Sequence, residues 1–514
     1  MSKKIQTVMF IMSALLISGC SDDAQSNDQN NRHMMNQNSN EGNHHMMNQN
    51  SNEGNHHMMD DSTMGNGHMS HDNVVSLKDS TGENELNIPP LLTSDAADRT
   101  EYTIKAQTGK VEIFDGVTTE TLGYNGDLLG PVLQFKKGET VKIHTINELD
   151  EETTFHWHGL EVSGEADGGP HKTLKPGEKE LIEFEVTQEA ATLWFHPHPE
   201  GKTSEQVYKG LAGLIYIEDS NSAKLEIPKE YGKNDIPLVF QDRVFNEQGQ
   251  LDYKSVMNED GTIGDTLLVN GTVNPVLTVG KEQVRLRLLN GSNARNFTFK
   301  LNTGESFVQI ATDGGFLNKP VKLNEVTLTP SERAEIIIDF SQLKSTDSLS
   351  LINEDGSILL PFDVLDQEVE DTQTTKRLND FAVTDEEKNM PVTKNIELFG
   401  MMEHVEINGK KFDPDRIDFT QKQGVTEVWE IYNKKDMMGG MIHPFHIHGA
   451  QFKILSRDGV EPQENERGWK DSIAVHPGEK VKIAIQFKHK GVYMFHCHIL
   501  EHEDNGMMGQ IEVK

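Results

Sequence analysis

Pro176-Gly177-Glu178-Lys179 runs into Leu181-Ile182-Glu183-Phe184, and the phrase returns twice: Pro330-Ser331-Glu332-Arg333 before Ile336-Ile337-Ile338, and Pro477-Gly478-Glu479-Lys480 before Val481-Lys482-Ile483. Each copy is a turn feeding a strand at the same relative place. Copies about 150 residues apart imply three homologous domains rather than a solenoid of short repeats. From about residue 85 onward, short Val, Ile, Phe and Thr runs alternate with Gly, Pro, Asn and Asp turns, and long amphipathic helical stretches are hard to find. The fold expected is all-β. Roughly 430 residues shared among three units gives domains of ordinary sandwich size. The expected boundaries are 85–220, 221–375 and 376–514.

The chain has 514 residues with 22 His, 21 Met and only 2 Cys, and a formal net charge of −34. Two thiols cannot build a disulfide framework. The negative charge repels polyphosphate, so no nucleic-acid partner is expected, and it attracts cations. His and Met are both copper-compatible ligands. Apolar residues make up 35%, low enough to suggest a polar segment diluting a normal core.

That segment lies at the N-terminus. Lys3 and Lys4 precede an apolar run from Val8 to Ile17, too short for a comfortable span and shaped like an export signal. It ends Ile17-Ser18-Gly19-Cys20, which resembles a bacterial lipobox; residues 1–19 then form a lipoprotein signal peptide and Cys20 carries the lipid. The alternative is an ordinary signal peptide with an incidental Cys. The lipobox reading places the protein outside the cell, tethered at the outer face of a bacterial membrane. Residues 20–84 are expected to be a disordered polar tail. The tail repeats every twelve residues, with His33-Met34-Met35, then His44-His45-Met46-Met47, then His56-His57-Met58-Met59. Thioethers suit Cu(I) and imidazoles suit Cu(II), so a copper-gathering arm is expected, against the plainer reading of a His-rich spacer.

The body holds four His-x-His pairs: His156-Trp157-His158, His196-Pro197-His198, His446-Ile447-His448 and His496-Cys497-His498. Residues two apart on a strand face the same side, so each pair can present two imidazoles to one cluster. One such pair is weak evidence; four, two near each end, fit several metals held between the first and third domains. No His lies between His198 and His404, which makes the middle domain a spacer. If His496 and His498 face one way, Cys497 faces the other and joins a second site. His443, His502 and Met507 stand around it, and two His, a thiolate and a weak Met ligand describe an electron-transfer copper. A buried structural thiol is the alternative for Cys497 alone.

The motifs His156-Trp-His-Gly159, Trp194-Phe-His-Pro-His198, His443-Pro-Phe-His-Ile-His-Gly449 and His496-Cys-His-Ile-Leu-Glu-His502 through Met507 resemble those of three-domain multicopper oxidases. The resemblance covers roughly residues 85–514 and every ligand position. It implies three cupredoxin-like Greek-key β-sandwiches and four copper ions. Type 1 copper would take His443, Cys497, His502 and Met507; type 2 would take His156 and His446; the type 3 pair would take His158, His196, His198, His448, His496 and His498. In this family a reductant gives electrons singly to type 1 copper, and they pass along Cys497 and its neighbours to the trinuclear cluster, where O2 becomes water. Asp167 and Glu503 match acidic positions that supply protons in bacterial members, the alternative being solvated or merely orienting acids.

The reductant is read as Cu(I), in a copper-tolerance role, with the chain acting as a monomer. Asp436-Met437-Met438-Gly439-Gly440-Met441 precedes His443 and is similar to the segment in bacterial copper-efflux oxidases. Where those enzymes often carry a long Met-rich insert, only Met401 and Met402 stand here, beside His404. Packing is the competing reading for these Met residues. The alternatives are a laccase-like oxidase of phenols, aromatic amines, Fe(II) or Mn(II), and a copper-buffering lipoprotein. His144, His476 and His489 read as ordinary strand or turn residues, and His171 stays undecided.

Overall fold

Alternating burial along the strands creates the core. Thr140–Asn147 turns Val141, Ile143, Thr145 and Asn147 inward and leaves the residues between them more exposed. In this computed structural model, which describes residues 75–92, 100–342, 348–368, 374–437 and 439–514, such strands form six sheets, two to each of three sandwiches.

The first sandwich sets the sheet Val117–Tyr124, Thr100–Phe114, Thr140–Asn147, Lys179–Glu185 against the sheet Leu91–Leu92, Val132–Lys136, Gly213–Glu218, Ala191–Phe195. Ile104, Phe135, Ile143, Leu193 and Ile215 share one core between them. The middle sandwich packs a seven-stranded and a six-stranded sheet around Leu238, Leu286, Phe299 and Ile336. The third packs two five-stranded sheets around Trp429, Phe445, Ile483 and Phe495, and Cys497 and Met507 belong to that core. Helices are short. Thr203–Tyr208 and Leu500–Asp504 meet where Asp504 accepts hydrogen bonds from the backbone N–H groups of Thr203 and Ser204, at 3.0 and 2.9 Å. No helix among the described residues is long and apolar enough to cross a membrane.

One expected boundary moves. Composition alone puts residues 75–84 in the disordered tail and residue 85 in the first sandwich. Instead Leu77 is buried in the middle core, Arg295 donates to the Val75 carbonyl at 2.6 Å, and Asn84–Glu85 pairs in parallel with Pro275 and Val276 of the middle sandwich. The first sandwich gains its strand only at Leu91–Leu92, beside Val132 and Leu133. The segment is a strap across two sandwiches. Its few apolar anchors are diluted by polar neighbours, so composition alone hid them. Cys20 and the His/Met repeats at His33–Met35, His44–Met47 and His56–Met59 lie outside the described residues.

Candidate metal centres

Two adjacent strands of the third sandwich, His443–Ile447 and Gly491–Cys497, pair antiparallel, with Phe445 opposite Cys497 and His446 opposite His496. Strand alternation sends Cys497 to one side and His496 to the other. On the Cys497 side, Sγ lies 3.5 Å from His443 Nδ1 and 3.6 Å from His502 Nδ1. The Leu500–Asp504 helix delivers His502 back over the strand end. Met507 is fully buried, and its carbonyl accepts the Cys497 N–H at 3.1 Å. Burial pushes the Cys497 thiol pKa far up and lowers that of His443 to about 4. A thiol so hard to ionise becomes a thiolate when a soft cation takes the proton's place.

On the other side the eight imidazoles of the His-x-His pairs converge. All are buried. Two stacked pairs form the centre: His156 on His448 at 3.7 Å between centroids, and His158 on His446 at 3.6 Å. Each pair joins a ligand of the first sandwich to one of the third. His198, His448 and His496 gather as a second triad, and His498 faces His158 and His196 at 5.1 and 5.4 Å. Trp194 stacks on His196 at 4.2 Å and walls the cluster.

Outer hydrogen bonds fix which nitrogen each ring turns inward. His156 Nδ1 donates to the Asp167 carbonyl at 3.0 Å, and His448 Nδ1 to the Asp167 carboxylate at 2.8 Å. Asp471 does the same for the other stack: its carbonyl accepts from His446 Nδ1 at 2.8 Å and its carboxylate from His158 Nε2 at 3.0 Å. His196 Nδ1 and His496 Nδ1 donate to the carbonyls of Pro197 and Cys497. What remains is a set of buried ring nitrogens without a hydrogen-bond partner: Nε2 of His156, His196, His446 and His502, Nδ1 of His158, and both of His498. Buried polar atoms left unpaired are costly. Burial first, and neighbouring imidazoles second, hold the pKa values of His158, His196, His198, His446 and His448 well below the ordinary value, which favours the neutral ring, the form of imidazole able to bind a metal. Soft and imidazole donors in this arrangement fit copper.

Glu503 is buried between two rings, 3.3 Å from His198 Nδ1 and 3.3 Å from His496 Nδ1, and burial drives its pKa well above the carboxylate range. Around the Cys497 site, His443 bonds the Gly400 carbonyl and feels the charge of Asp436. Met401 and Met402 follow Gly400 directly. Met402 is 51% exposed and held at φ +55°, and its N–H donates to Asp260 Oδ1 at 2.6 Å. Glu403 meets Glu259 carboxyl to carboxyl, which raises the pKa of Glu259. Met437 is fully exposed, Met441 packs against the third core, and Met438 lies outside the described residues. His404 is exposed beside Glu403, and His171 bonds Gln510 at 2.6 Å.

Sequence reading missed Asp471, Glu259, Asp260 and Arg333. Glu259 and Asp260 sit in the middle sandwich and carry no motif; Arg333 closes a turn phrase already noticed and Asp471 precedes another, but both point where sequence gives no sign.

Family comparison agrees with this geometry. Three multicopper oxidase profiles match residues 105–222, 216–353 and 384–514. The chain is 53% identical over 445 residues to the multicopper oxidase mco of Staphylococcus haemolyticus, covering 86% of this chain and 95% of that one. A crystal structure of a multi-copper oxidase from Pediococcus acidilactici superposes with TM-score 0.82 at 45% identity, covering 85% and 93% of the two chains. A laccase-like CueO of Ochrobactrum, active on lignin model compounds, matches at 37% identity and TM-score 0.76, covering 84% and 100%. A Campylobacter jejuni enzyme described as a metallo-oxidase matches at 29% identity and TM-score 0.73, covering 86% and 98%.

Proposed function

Because the chain belongs to the multicopper oxidases, enzymes that use O2, a reducing substrate and four copper ions of types 1, 2 and 3, we propose that its reductant is a metal ion, Cu(I) foremost. The observation that carries this is the rim beside His443. One carbonyl, Gly400, touches the ring. The next residues present two thioethers and Glu403, and the middle sandwich adds Glu259 and Asp260. Carboxylates crowded at one exposed spot attract cations, and thioethers select soft ones. The strained backbone of Met402, fixed by Asp260, fits a side chain held for use rather than packing.

Bound copper would supply one-electron transfer at the Cys497 site and four-electron reduction of O2 at the imidazole cluster. His443, Cys497, His502 and Met507 would hold type 1; His156 and His446 type 2; His158, His196, His198, His448, His496 and His498 type 3. Cys497 and His496 are adjacent in the chain and joined again by the His496 Nδ1–H bond to the Cys497 carbonyl at 3.0 Å, which gives electrons a short bonded route. Glu503, whose burial favours its protonated form, lies between His198 and His496, and Asp167 has one oxygen, Oδ1, without a partner. Both suit proton supply. Changing either to Ala should leave the blue colour and slow O2 consumption.

Oxygen-consumption kinetics test the substrate. Turnover on Cu(I) should exceed turnover on a bulky phenol. Strong phenol oxidation that ignores added copper overturns the reading in favour of a laccase-like role. From sequence we also propose that Cys20 is lipidated at the outer face of the membrane, that the His/Met repeats gather copper for tolerance, and that the chain acts as a monomer. Removing residues 21–73 should then cut tolerance while oxidase activity persists.

A further inference from the structure

The two stacked imidazole pairs are each held by one aspartate, but the two aspartates are held differently. Asp167 keeps Oδ1 free of partners. Asp471 is locked on every side. Arg333 grips it bidentately, Nη1 to Oδ1 at 2.7 Å and Nη2 to Oδ2 at 2.5 Å. Gln451 Nε2 donates to Oδ2 at 2.8 Å and Ser472 Oγ to Oδ1 at 3.0 Å.

Arg333 is the last residue of the middle copy of the repeated turn. Its counterparts Lys179 and Lys480 also open a strand, and both are exposed. Arg333 opens Arg333–Asp339 yet is fully buried. Its N–H groups are spent on three sandwiches. Nε donates to the Thr192 carbonyl of the first, Nη1 to Ser331 of its own, and both Nη atoms to Asp471 of the third. A planar five-donor fork can do this, and an ammonium cannot.

We propose that Arg333, on the sandwich without copper ligands, is the positioning residue of the trinuclear site, acting through Asp471 on His158 and His446. With the carboxylate pinned, His158 gives up its Nε2–H outward and turns Nδ1 inward. His446, held by the Asp471 carbonyl, turns Nε2 inward. Opposite nitrogens of two rings stacked at 3.6 Å are thereby presented to the centre. The middle sandwich is thus more than a spacer, because it sets the tautomers that create one wall of the site. Asp167, which holds the other stack, has no such clamp.

The inference rests on His158 and His446 being copper ligands, and the experiment separates the two claims. The full-length holoenzyme is compared with Arg333→Lys, Arg333→Met, Asp471→Asn, the Arg333→Met/Asp471→Asn pair and His158→Ala. Readouts are copper per chain, the type 1 and type 2 electron paramagnetic resonance signals, and cooperative melting. Arg333→Met should weaken type 2 copper retention 10–100-fold, the usual range for losing an outer partner of a ligand, with the type 1 signal unchanged. Arg333→Lys keeps the charge but not the fork and should shift the type 2 signal while retaining four coppers, so the question survives if Arg333→Met does not fold. The paired variant should lose no more than the worse single one, because both act on the same rings. Unaltered type 2 signals in Arg333→Lys and Arg333→Met, additive losses in the pair, or type 1 loss in parallel overturns the proposal. If His158→Ala keeps full copper, the ligand assignment fails instead.

Discussion

Stripping copper and lowering the pH should destabilise this protein. An unfolded His titrates near 6.5. Burial holds His443 at about 4 and His496 at about 3, and it holds His158, His196, His198, His446, His448, His498 and His502 well below the ordinary value. A depressed pKa contributes stability that is present above 6.5 and lost as pH falls through the folded value, because below 6.5 the unfolded chain binds protons the folded rings refuse. At pH 5 His443 and His496 each cost about 2 kcal/mol. Buried carboxyls act the other way. Asp504 is raised to about 7, Asp313 to about 6, and Glu501 and Glu503 are raised as well, so folding favours their protonated forms as pH falls. Asp504 and Asp313 offset the two numbered rings. The other depressed rings outnumber the other raised carboxyls, so unfolding takes up protons as the pH falls. Urea unfolding of the copper-free protein at half-unit steps from pH 7.5 to 5 should show the midpoint falling as the pH drops. His443→Gln should remove about one proton from the slope near pH 5.5. A midpoint that holds steady or rises between pH 7 and pH 5 would refute the reasoning, since it would mean the rings are hydrated or charged in the folded state.

Cys497→Ser should abolish the blue colour and reduce oxidase activity to background, while the type 2 resonance persists, because Cys497 faces away from the imidazole cluster; loss of both signals would show the two centres are not separable. Glu259→Gln together with Glu403→Gln should raise KM for Cu(I) severalfold at low salt, less at high salt, and leave KM for a phenol unchanged; an equal shift for both substrates in steady-state kinetics counts against a cation-selective rim. Removing residues 21–73 should leave thermal stability intact, whereas removing 21–82 takes away buried Leu77 and the Val75 carbonyl that serves Arg295; Leu77→Ala alone should cost about 2–5 kcal/mol in denaturant unfolding.

The parts legible in sequence were those carried by local periodicity. Cys497 beside His496 on the strand Gly491–Cys497 states that two centres lie back to back, and alternation places them so; the four His-x-His pairs also converge, but His156, His158, His196, His198, His448 and His498 lie outside the named strands, so loop geometry rather than alternation brings them in. Three turn phrases stated three sandwiches. Less legible were features set by distant neighbours. The strap at Leu77 depends on a middle core built from residues some two hundred positions on, so its polar surroundings read as tail. Glu259 and Asp260 matter only because a loop more than a hundred residues later brings Met402 and Glu403 against them. Arg333 makes the limit plainest. Within Pro330-Ser331-Glu332-Arg333 it reads as one more basic residue closing a turn, like Lys179 and Lys480, and local pattern predicts the same solvated fate. Its burial is decided by Thr192 and Asp471, 141 and 138 residues away. The clue that did exist was chemical rather than periodic: of three equivalent positions only the middle one is arginine, the side chain whose fork can be fully paired without water. A departure of that kind within a repeat marks where one copy does what the others do not, and here the arginine of the middle copy reaches Asp471, the carboxylate that His158 bonds.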